Sequence, residues 1–163
     1  MHILLQNKKI YIKYYKLKCA IGKRGINIKK REGDNITPRG KFALKSVLFR
    51  QDRVADIKTK LTKIKIEKNM GWCDDPNSKN YNKLIRYPFK YNAEKLYKKD
   101  NIYDIIITID YNYNPIIKNK GSAIFIHIAK NNYSPTRGCI AISKRDMKKL
   151  LANINKNSKI LII

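Results

Sequence analysis

The sequence is poor in acidic residues. Asp and Glu number 12 against 37 Lys and Arg, so the formal net charge is +25. This imbalance excludes a neutral, self-contained surface and favours a polyanionic partner such as nucleic acid, an anionic lipid surface or an anionic polymer. Only 8 of the basic residues are Arg, whose planar fork best fits phosphate. The charge is therefore equally consistent with a lysine-rich composition that serves no particular partner.

Cysteine is also scarce. Cys19, Cys73 and Cys139 are widely spaced and form no CxxC pair, and their odd number excludes a complete disulfide framework. The same spacing argues against a zinc site, so we expect no metal there. At least one thiol is expected to stay free or to pair between chains.

Long apolar runs are missing. The longest, 105–107 and 123–128, fall far short of the about 18 residues that a membrane-spanning helix needs. No charged segment precedes the apolar start of the chain, so no signal peptide is visible and the sequence is expected to begin directly in a domain. A length of 163 residues fits one globular domain over residues 1–163.

Short β-rich runs separated by turn residues dominate the sequence. The runs are 9–18, 41–49, 104–110, 122–129, 138–143 and 159–163. One helix is predicted over about 143–155, because Ser143 can cap it and four apolar residues beginning at Met147 share one face. A shorter helix is predicted over Asn92–Tyr97. Strands outnumber helices, so we predict a mostly β or α+β fold.

Residues 122–143 contain the side chains best suited to chemistry. His127 shares one face of an apolar strand with Phe125, while the isoleucines between and beside them take the other face. A polar loop, 130–137, leads to Cys139 at the start of the next apolar run. A returning strand would bring Cys139 beside His127, within hydrogen-bonding reach.

A cysteine paired with a histidine can act as a nucleophile, because the imidazole takes the thiol proton. Backbone N–H groups of Gly138 and Cys139 could face a developing oxyanion. A loop carbonyl, Asn131 or Ser134 could orient the imidazole, and the sequence does not choose between them. A cysteine between Gly and Ile is also commonly a small buried hydrophobic residue.

Several motifs resemble one enzyme family. The segment Thr136–Ile140 (TRGCI), with His127 upstream, resembles the [Ser/Thr]-x-Gly-Cys signature of the L,D-transpeptidase catalytic domain (YkuD-like) family. Arg31–Asp34 and Thr37–Phe42 are similar to the family's REGD–TPxGxF segment. Further segments resemble a short single-domain branch of the family: Gly71–Asp75, Tyr81-Asn82, Tyr103-Asp104 and Gly121–His127. The resemblance extends from Lys18 to the end of the sequence.

The resemblance implies mixed β-sheets and a peptidyl-transfer site without a cofactor. Cys139 would be the nucleophile and His127 the general base. Family members form a thioester with a peptidoglycan stem tetrapeptide, release D-alanine and pass the acyl group to an amine, or to water in a carboxypeptidase. The expected partners are stem peptides and an anionic wall or membrane surface, and the expected location is the cell envelope or periplasm. We expect a monomer.

Five residues are candidate substrate contacts: Thr136, Arg137, Trp72, Tyr81 and Asn82. Many family members have an Arg two residues after the cysteine, where this chain has Ala141, so Arg137 could bind a substrate carboxylate instead. Arg137 could equally be a solvated loop residue, and the other segments could be exposed loops.

Two functions of another class remain open. A basic, tyrosine-rich β-domain could bind nucleic acid, but the sequence has no recognised nucleic-acid motif and residues 1–70 carry +15 of the charge, away from Cys139. A nucleic-acid partner is therefore disfavoured. A non-catalytic wall-binding module is the other alternative.

Overall fold

The computed structural model describes residues 2–163. Fourteen strands and one helix occur within this range. The strands are β1 His2–Gln6, β2 Lys9–Ile12, β3 Tyr15–Ala20, β4 Ile26–Asn27, β5 Thr37–Pro38, β6 Gly40–Phe49, β7 Thr62–Lys65, β8 Met70–Cys73, β9 Leu84–Arg86, β10 Ala93–Lys95, β11 Ile105–Ile109, β12 Phe125–Ile128, β13 Ile140–Ile142 and β14 Lys159–Ile162, and the helix is α1 Lys144–Asn153. The predicted mostly β fold is confirmed.

Nine strands form one mixed sheet in the order β11-β12-β13-β3-β2-β1-β14-β6-β7. The long strand β6 also pairs with β11, so the path from β11 round to β6 closes on itself. β11 is buried along its whole length, which suits its β-branched sequence IIITI. A separate three-stranded sheet, β10-β8-β9, lies outside this closed path in the strand order.

The helix agrees with its prediction. The Ser143 hydroxyl accepts a hydrogen bond from the Asp146 N–H and caps the first turn. The apolar stripe from Met147 to Ile154 packs into the main hydrophobic core. None of the helical segments between residues 2 and 163 is long and apolar enough to cross a bilayer.

One local prediction is wrong, and one predicted β-rich run divides into two strands. Asn92–Tyr97 is not a helix: Ala93–Lys95 forms β10, because this segment pairs with β8 and tertiary pairing overrides its local preference. The run 9–18 is a hairpin of β2 and β3, since Ile12 pairs with Tyr15 and the chain turns at Lys13, which has a positive φ.

The two faces of β12 enter different clusters. Ile126 and Ile128 belong to the main core with α1, whereas Phe125 packs with Tyr103 and Trp72 in a second cluster beneath the small sheet. His127 faces this second cluster, and its ring centroid lies 5.4 Å from that of Tyr103. The alternation predicted for this strand therefore separates core residues from residues available for chemistry.

Candidate active site

The strands that carry the candidate residues are parallel. Ile126 pairs with Ile140 and His127 with Ala141, so Cys139, just before β13, lies opposite Phe125 at the start of β12. The prediction that β13 returns antiparallel to β12 is therefore wrong. The intervening loop crosses back instead, with the Thr136 N–H bonded to the Ile21 carbonyl and the Thr136 carbonyl bonded to the Lys23 N–H.

The Cys139 thiol is held by the backbone where the chain enters β12. Its Sγ donates to the Ala123 carbonyl at 3.1 Å and accepts from the Phe125 N–H at 3.4 Å. Burial raises the pKa of Cys139 to about 12; the Phe125 N–H opposes this shift and the negative charge of Glu94 adds to it. The sulfur is therefore a protonated thiol at neutral pH.

The His127 ring is buried, with 8% of the residue exposed. Its Nδ1 lies 2.9 Å from the Ile128 carbonyl oxygen. Because a carbonyl only accepts hydrogen bonds, the neutral ring carries its proton on Nδ1 and leaves Nε2 as a base. Burial lowers the pKa of His127 to about 4, so the imidazole is neutral at pH 7. The orienting group is a backbone carbonyl, from the strand rather than the loop.

Cys139 and His127 are diagonal neighbours on one face of the sheet. Strand geometry separates their Cα atoms by about 8 Å, from two residue rises along β12 and one strand spacing across. No hydrogen bond joins the two side chains within residues 2–163; the thiol proton points to Ala123 instead. The two groups are thus close but not an ion pair.

The turn before Cys139 is fixed by the N-terminal region. Gly138 has φ +140°, and a Cβ there would lie 2.9 Å from the Ile36 carbonyl oxygen, so glycine is required. The Thr37 hydroxyl donates to the Gly138 carbonyl at 2.8 Å and accepts from the Gly22 N–H at 2.8 Å. Thr37 belongs to the TPRG motif, which therefore supports the cysteine turn.

Thr136 supports the same turn from inside. Its hydroxyl donates to the Cys139 carbonyl at 2.6 Å and accepts from the Gly138 N–H at 3.1 Å. Of the two N–H groups expected at an oxyanion site, that of Gly138 is thus engaged. The Cys139 N–H has no acceptor within residues 2–163.

Asn82 is a buried connector. Its Oδ1 accepts from the Ala123 N–H at 3.1 Å and from the Trp72 indole N–H at 2.9 Å, and its amide donates to the Asn112 carbonyl at 2.8 Å. Ala123 has φ +51°, an uncommon conformation for a residue with a Cβ. Asn82 therefore stabilises the backbone that holds the thiol.

Tyr81 is also buried, with 1% exposed. Its hydroxyl donates to Glu32 and accepts from the Gly121 N–H at 2.9 Å, while the Ser122 hydroxyl donates to the same carboxylate at 2.8 Å. These bonds connect the REGD motif to the segment that enters β12. They place Tyr81 within the fold rather than on an open surface.

Trp72 and Arg137 lie nearer the solvent. The Trp72 ring packs edge-on against Phe125, with centroids 5.0 Å apart. Trp72 and Phe125 line a cavity of about 300 Å³ together with Asn82, and Cys139 does not line it. Arg137 is exposed and makes no ion pair within residues 2–163.

Sequence reasoning missed three residues beside the site. The Tyr103 hydroxyl donates to Glu94 at 2.8 Å, and the Lys98 ammonium lies 3.6 Å from the same oxygen. Glu94 and Lys98 fall in or next to the segment wrongly predicted as a helix. With the strand assignment, the pairing of Glu94 opposite Trp72 would have placed it on the face towards β12.

A basic groove lies at the other end of β13. It has a volume of about 530 Å³, and its lining includes three tyrosines and four cationic residues: Tyr14, Tyr15, Tyr133, Lys16, Lys18, Arg145 and Lys149. The Lys18 ammonium covers the Tyr133 ring at 4.6 Å, and that of Lys149 covers the Tyr15 ring at 5.5 Å. Tyr14 is 82% exposed.

A cysteine thiol and a neutral imidazole on one sheet face are typical of thiol-dependent acyl transfer. The family model of the L,D-transpeptidase catalytic domain, YkuD, matches residues 1–162. The chain belongs to the L,D-transpeptidase catalytic domain family, as its motifs predicted. The family is typically associated with the cell wall and acts on peptidoglycan stem peptides.

Among solved structures, the chain is similar to Bd1075 of Bdellovibrio bacteriovorus, with a TM-score of 0.53 and 17% sequence identity. The match covers 99% of this chain and 46% of the Bd1075 chain, so the present chain spans less than half of that protein. At this identity the similarity concerns the fold. A comparison with curated proteins gave no significant match.

Proposed function

We propose that this protein is an L,D-transpeptidase that acts through Cys139 as a single catalytic domain. The observation that carries the proposal is the thiol of Cys139 on the same sheet face as His127, whose Nε2 is an unprotonated base. The substrate is a peptidoglycan stem tetrapeptide, as for the family, and the site of action is the cell envelope.

The first step begins from two neutral groups. When the substrate carbonyl reaches the site, Sγ leaves the Ala123 carbonyl and gives its proton to Nε2 of His127 as sulfur attacks. The Cys139 N–H is the first oxyanion donor, and the Gly138 N–H joins it if the Thr136 hydroxyl turns away. With its low pKa, the imidazolium readily gives its proton to the leaving D-alanine amine, and a thioester remains.

An amine then resolves the thioester and regenerates the thiol. Water at the same position would give L,D-carboxypeptidase hydrolysis, which is the alternative outcome at this site. Thr136, Tyr81 and Asn82 act in this scheme as positioning residues, since their polar atoms are bonded to the backbone around Cys139 and Ala123. Of the other candidate substrate contacts, Trp72 packs against the substrate, and the exposed Arg137 binds a substrate carboxylate.

Covalent labelling tests the proposal. The native protein is incubated with a carbapenem, an acylating ligand of this family, and its intact mass is measured. We expect one adduct on the native chain and none on Cys139→Ala, with Cys73→Ala as a matched control that keeps the adduct. No adduct on the native chain, or an equal one on Cys139→Ala, would refute the acyltransferase. Stem-tetrapeptide turnover that is lost in His127→Ala would exclude the non-catalytic wall-binding module.

The basic groove supports an anionic wall or membrane surface as a further partner, and we propose that the protein acts as a monomer. Nucleic acid is disfavoured because the rings of Tyr15 and Tyr133 are covered by lysine ammonium groups, which leaves fewer free faces for base stacking. The lysines can contact the anionic groups of a wall polymer or a membrane surface without such stacking.

A further inference from the structure

The small sheet presents one face to the catalytic strand. Glu94 on β10 lies directly opposite Trp72 on β8, and cross-strand partners share a face. The Trp72 ring meets Phe125 of β12, so this face is turned towards the side of β12 that carries His127. Glu94 is therefore part of the wall around Cys139.

An ion pair is fixed on this wall by a buried tyrosine. The Tyr103 ring packs against the His127 ring, and its hydroxyl holds Oε1 of Glu94 at 2.8 Å. The Lys98 ammonium lies 3.6 Å from that oxygen and 5.0 Å from the Tyr103 ring centroid. The side chains of Glu94 and Lys98 are 34% and 27% exposed, so a ligand can reach both.

The charges of this pair reach both reacting groups. Burial is the main cause of the low pKa of His127 and its backbone hydrogen bond opposes it; the positive charge of Lys98 lowers this pKa further, and Asp100 acts in the opposite direction. Burial is likewise the main cause of the high pKa of Cys139 and the Phe125 N–H opposes it, while the negative charge of Glu94 raises this pKa further. Lys29 also faces the thiol, but it is buried and paired with Asp34. Polar groups placed at the edge of an aromatic wall commonly orient a ligand.

We infer that Glu94 and Lys98 bind the acceptor of the acyl group as an α-amino acid zwitterion, an inference that rests on the proposed function. Glu94 binds the ammonium and Lys98 the carboxylate carried by the same carbon. Two sources share this chemistry: a free D-amino acid, and the amino acid end of a diamino acid side chain in a second stem peptide.

The pair determines which nucleophile resolves the thioester. The bound ammonium releases one proton to solvent, its nitrogen attacks the acyl carbon, and the carbon–sulfur bond breaks. The second proton passes from nitrogen through His127 to sulfur, which restores the thiol beside a new amide. Water carries neither charge, so the pair favours transfer over hydrolysis.

The test measures how one acyl-enzyme divides between products, so that changes in acylation rate cancel. The native protein is given a donor tetrapeptide with D-methionine, D-methioninamide or a stem tripeptide ending in a free diamino acid, and amide and hydrolysis products are quantified by mass spectrometry. We expect the transfer-to-hydrolysis ratio to be about tenfold higher for D-methionine than for its amide, which lacks the carboxylate. A higher ratio for the tripeptide or for D-methionine identifies the source.

Two variants assign the charges. Lys98→Gln is expected to remove the preference for D-methionine over the amide, and Glu94→Gln to lower the ratio about tenfold for both. Glu67→Gln is the matched control, because the Glu67–Arg86 pair flanks the same sheet but is more than half exposed. Ratios that are unchanged in Lys98→Gln and Glu94→Gln would overturn this inference alone. Absence of any acyl-enzyme on the native chain would overturn the proposed function with it.

Discussion

Two buried tyrosines flank β12, and each donates its hydroxyl to a glutamate. The Tyr81 hydroxyl also accepts from the Gly121 N–H, and Ser122 shares its partner Glu32, so this pair is bonded into the backbone that enters β12. Within residues 2–163 the hydroxyl of Tyr103 makes one hydrogen bond, to Glu94, and its ring packs against His127. The same type of pair, a tyrosine with a glutamate, thus supports the fold on one side of β12 and borders the proposed reaction site on the other. The remaining partners of each pair make the difference.

The largest loss of stability is expected on the supporting side. The side chains of Lys29 and Asp34 are 2% and 3% exposed, and Asp34 also accepts hydrogen bonds from the backbone N–H groups of Lys30 and Arg31. Asp34→Asn leaves the Lys29 ammonium buried without a counter-charge, and should lower the free energy of unfolding by about 3–5 kcal/mol. Urea denaturation at pH 7 measures this, and Glu67→Gln should change it by less than about 1 kcal/mol. Equal losses in the two variants would contradict the assignment.

On the side of His127, the free energy of unfolding is expected to change with pH by up to about 3 kcal/mol. The pKa of His127 is about 4 in the fold and 6.5 ordinarily, so the unfolded chain binds the proton first. The His127 contribution is complete above pH 6.5 and is lost as the pH falls from 6.5 to 4. The measurement is the difference in unfolding free energy between native and His127→Gln from pH 7.5 to 4. Parallel curves would show that His127 is not buried as a neutral base.

The two tyrosines are expected to differ when only the hydroxyl is removed. Tyr81→Phe loses one bond to a carboxylate and leaves the buried Gly121 N–H unpaired, at a cost of about 2–4 kcal/mol. Tyr103→Phe loses one bond to a part-exposed carboxylate, at about 1 kcal/mol. Thermal unfolding of both variants checks the order. A larger loss in Tyr103→Phe would reverse the comparison drawn above.

The smallest effect on stability is expected in the basic groove, distant from both tyrosine pairs. Lys16→Glu with Lys18→Glu should change the free energy of unfolding by less than about 1 kcal/mol and weaken binding to vesicles that contain anionic lipid. Sedimentation with vesicles at low and high salt is the readout, and Lys63→Glu with Lys65→Glu on β7 is the control. Equal binding by both double variants would mean that net charge, not the groove, attracts the surface.

Sequence pattern was sufficient where one local rule decided the structure. The stripe from Met147 with the Ser143 cap predicted α1, and alternation predicted that Phe125 and His127 share a face. It failed where distant pairing decided. The parallel order of β12 and β13 depends on the loop docking beside Ile21, and β10 exists because β8 lies beside it.

The candidate site divides in the same way. The Gly-Cys motif and the upstream histidine were recognisable because their chemistry lies in residue type and short spacing. The buried positions of Tyr81 and Asn82 could not be recognised from the sequence. Their polar side chains are buried because they bond to Glu32, Gly121 and Ala123, which are remote in sequence. Glu94 was hidden by the helix predicted for its segment.

The hydrogen bond from Thr37 to the Gly138 carbonyl joins residues 101 apart in the chain. In a nascent chain Thr37 therefore waits for Gly138 before the turn that presents Cys139 can be completed, and β1 must still wait for β14 to close the sheet path. Contacts of such long range form slowly. Until they form, Cys139 is an ordinary thiol open to alkylation and oxidation, so the loss of its reactivity towards iodoacetamide should time the last stage of maturation.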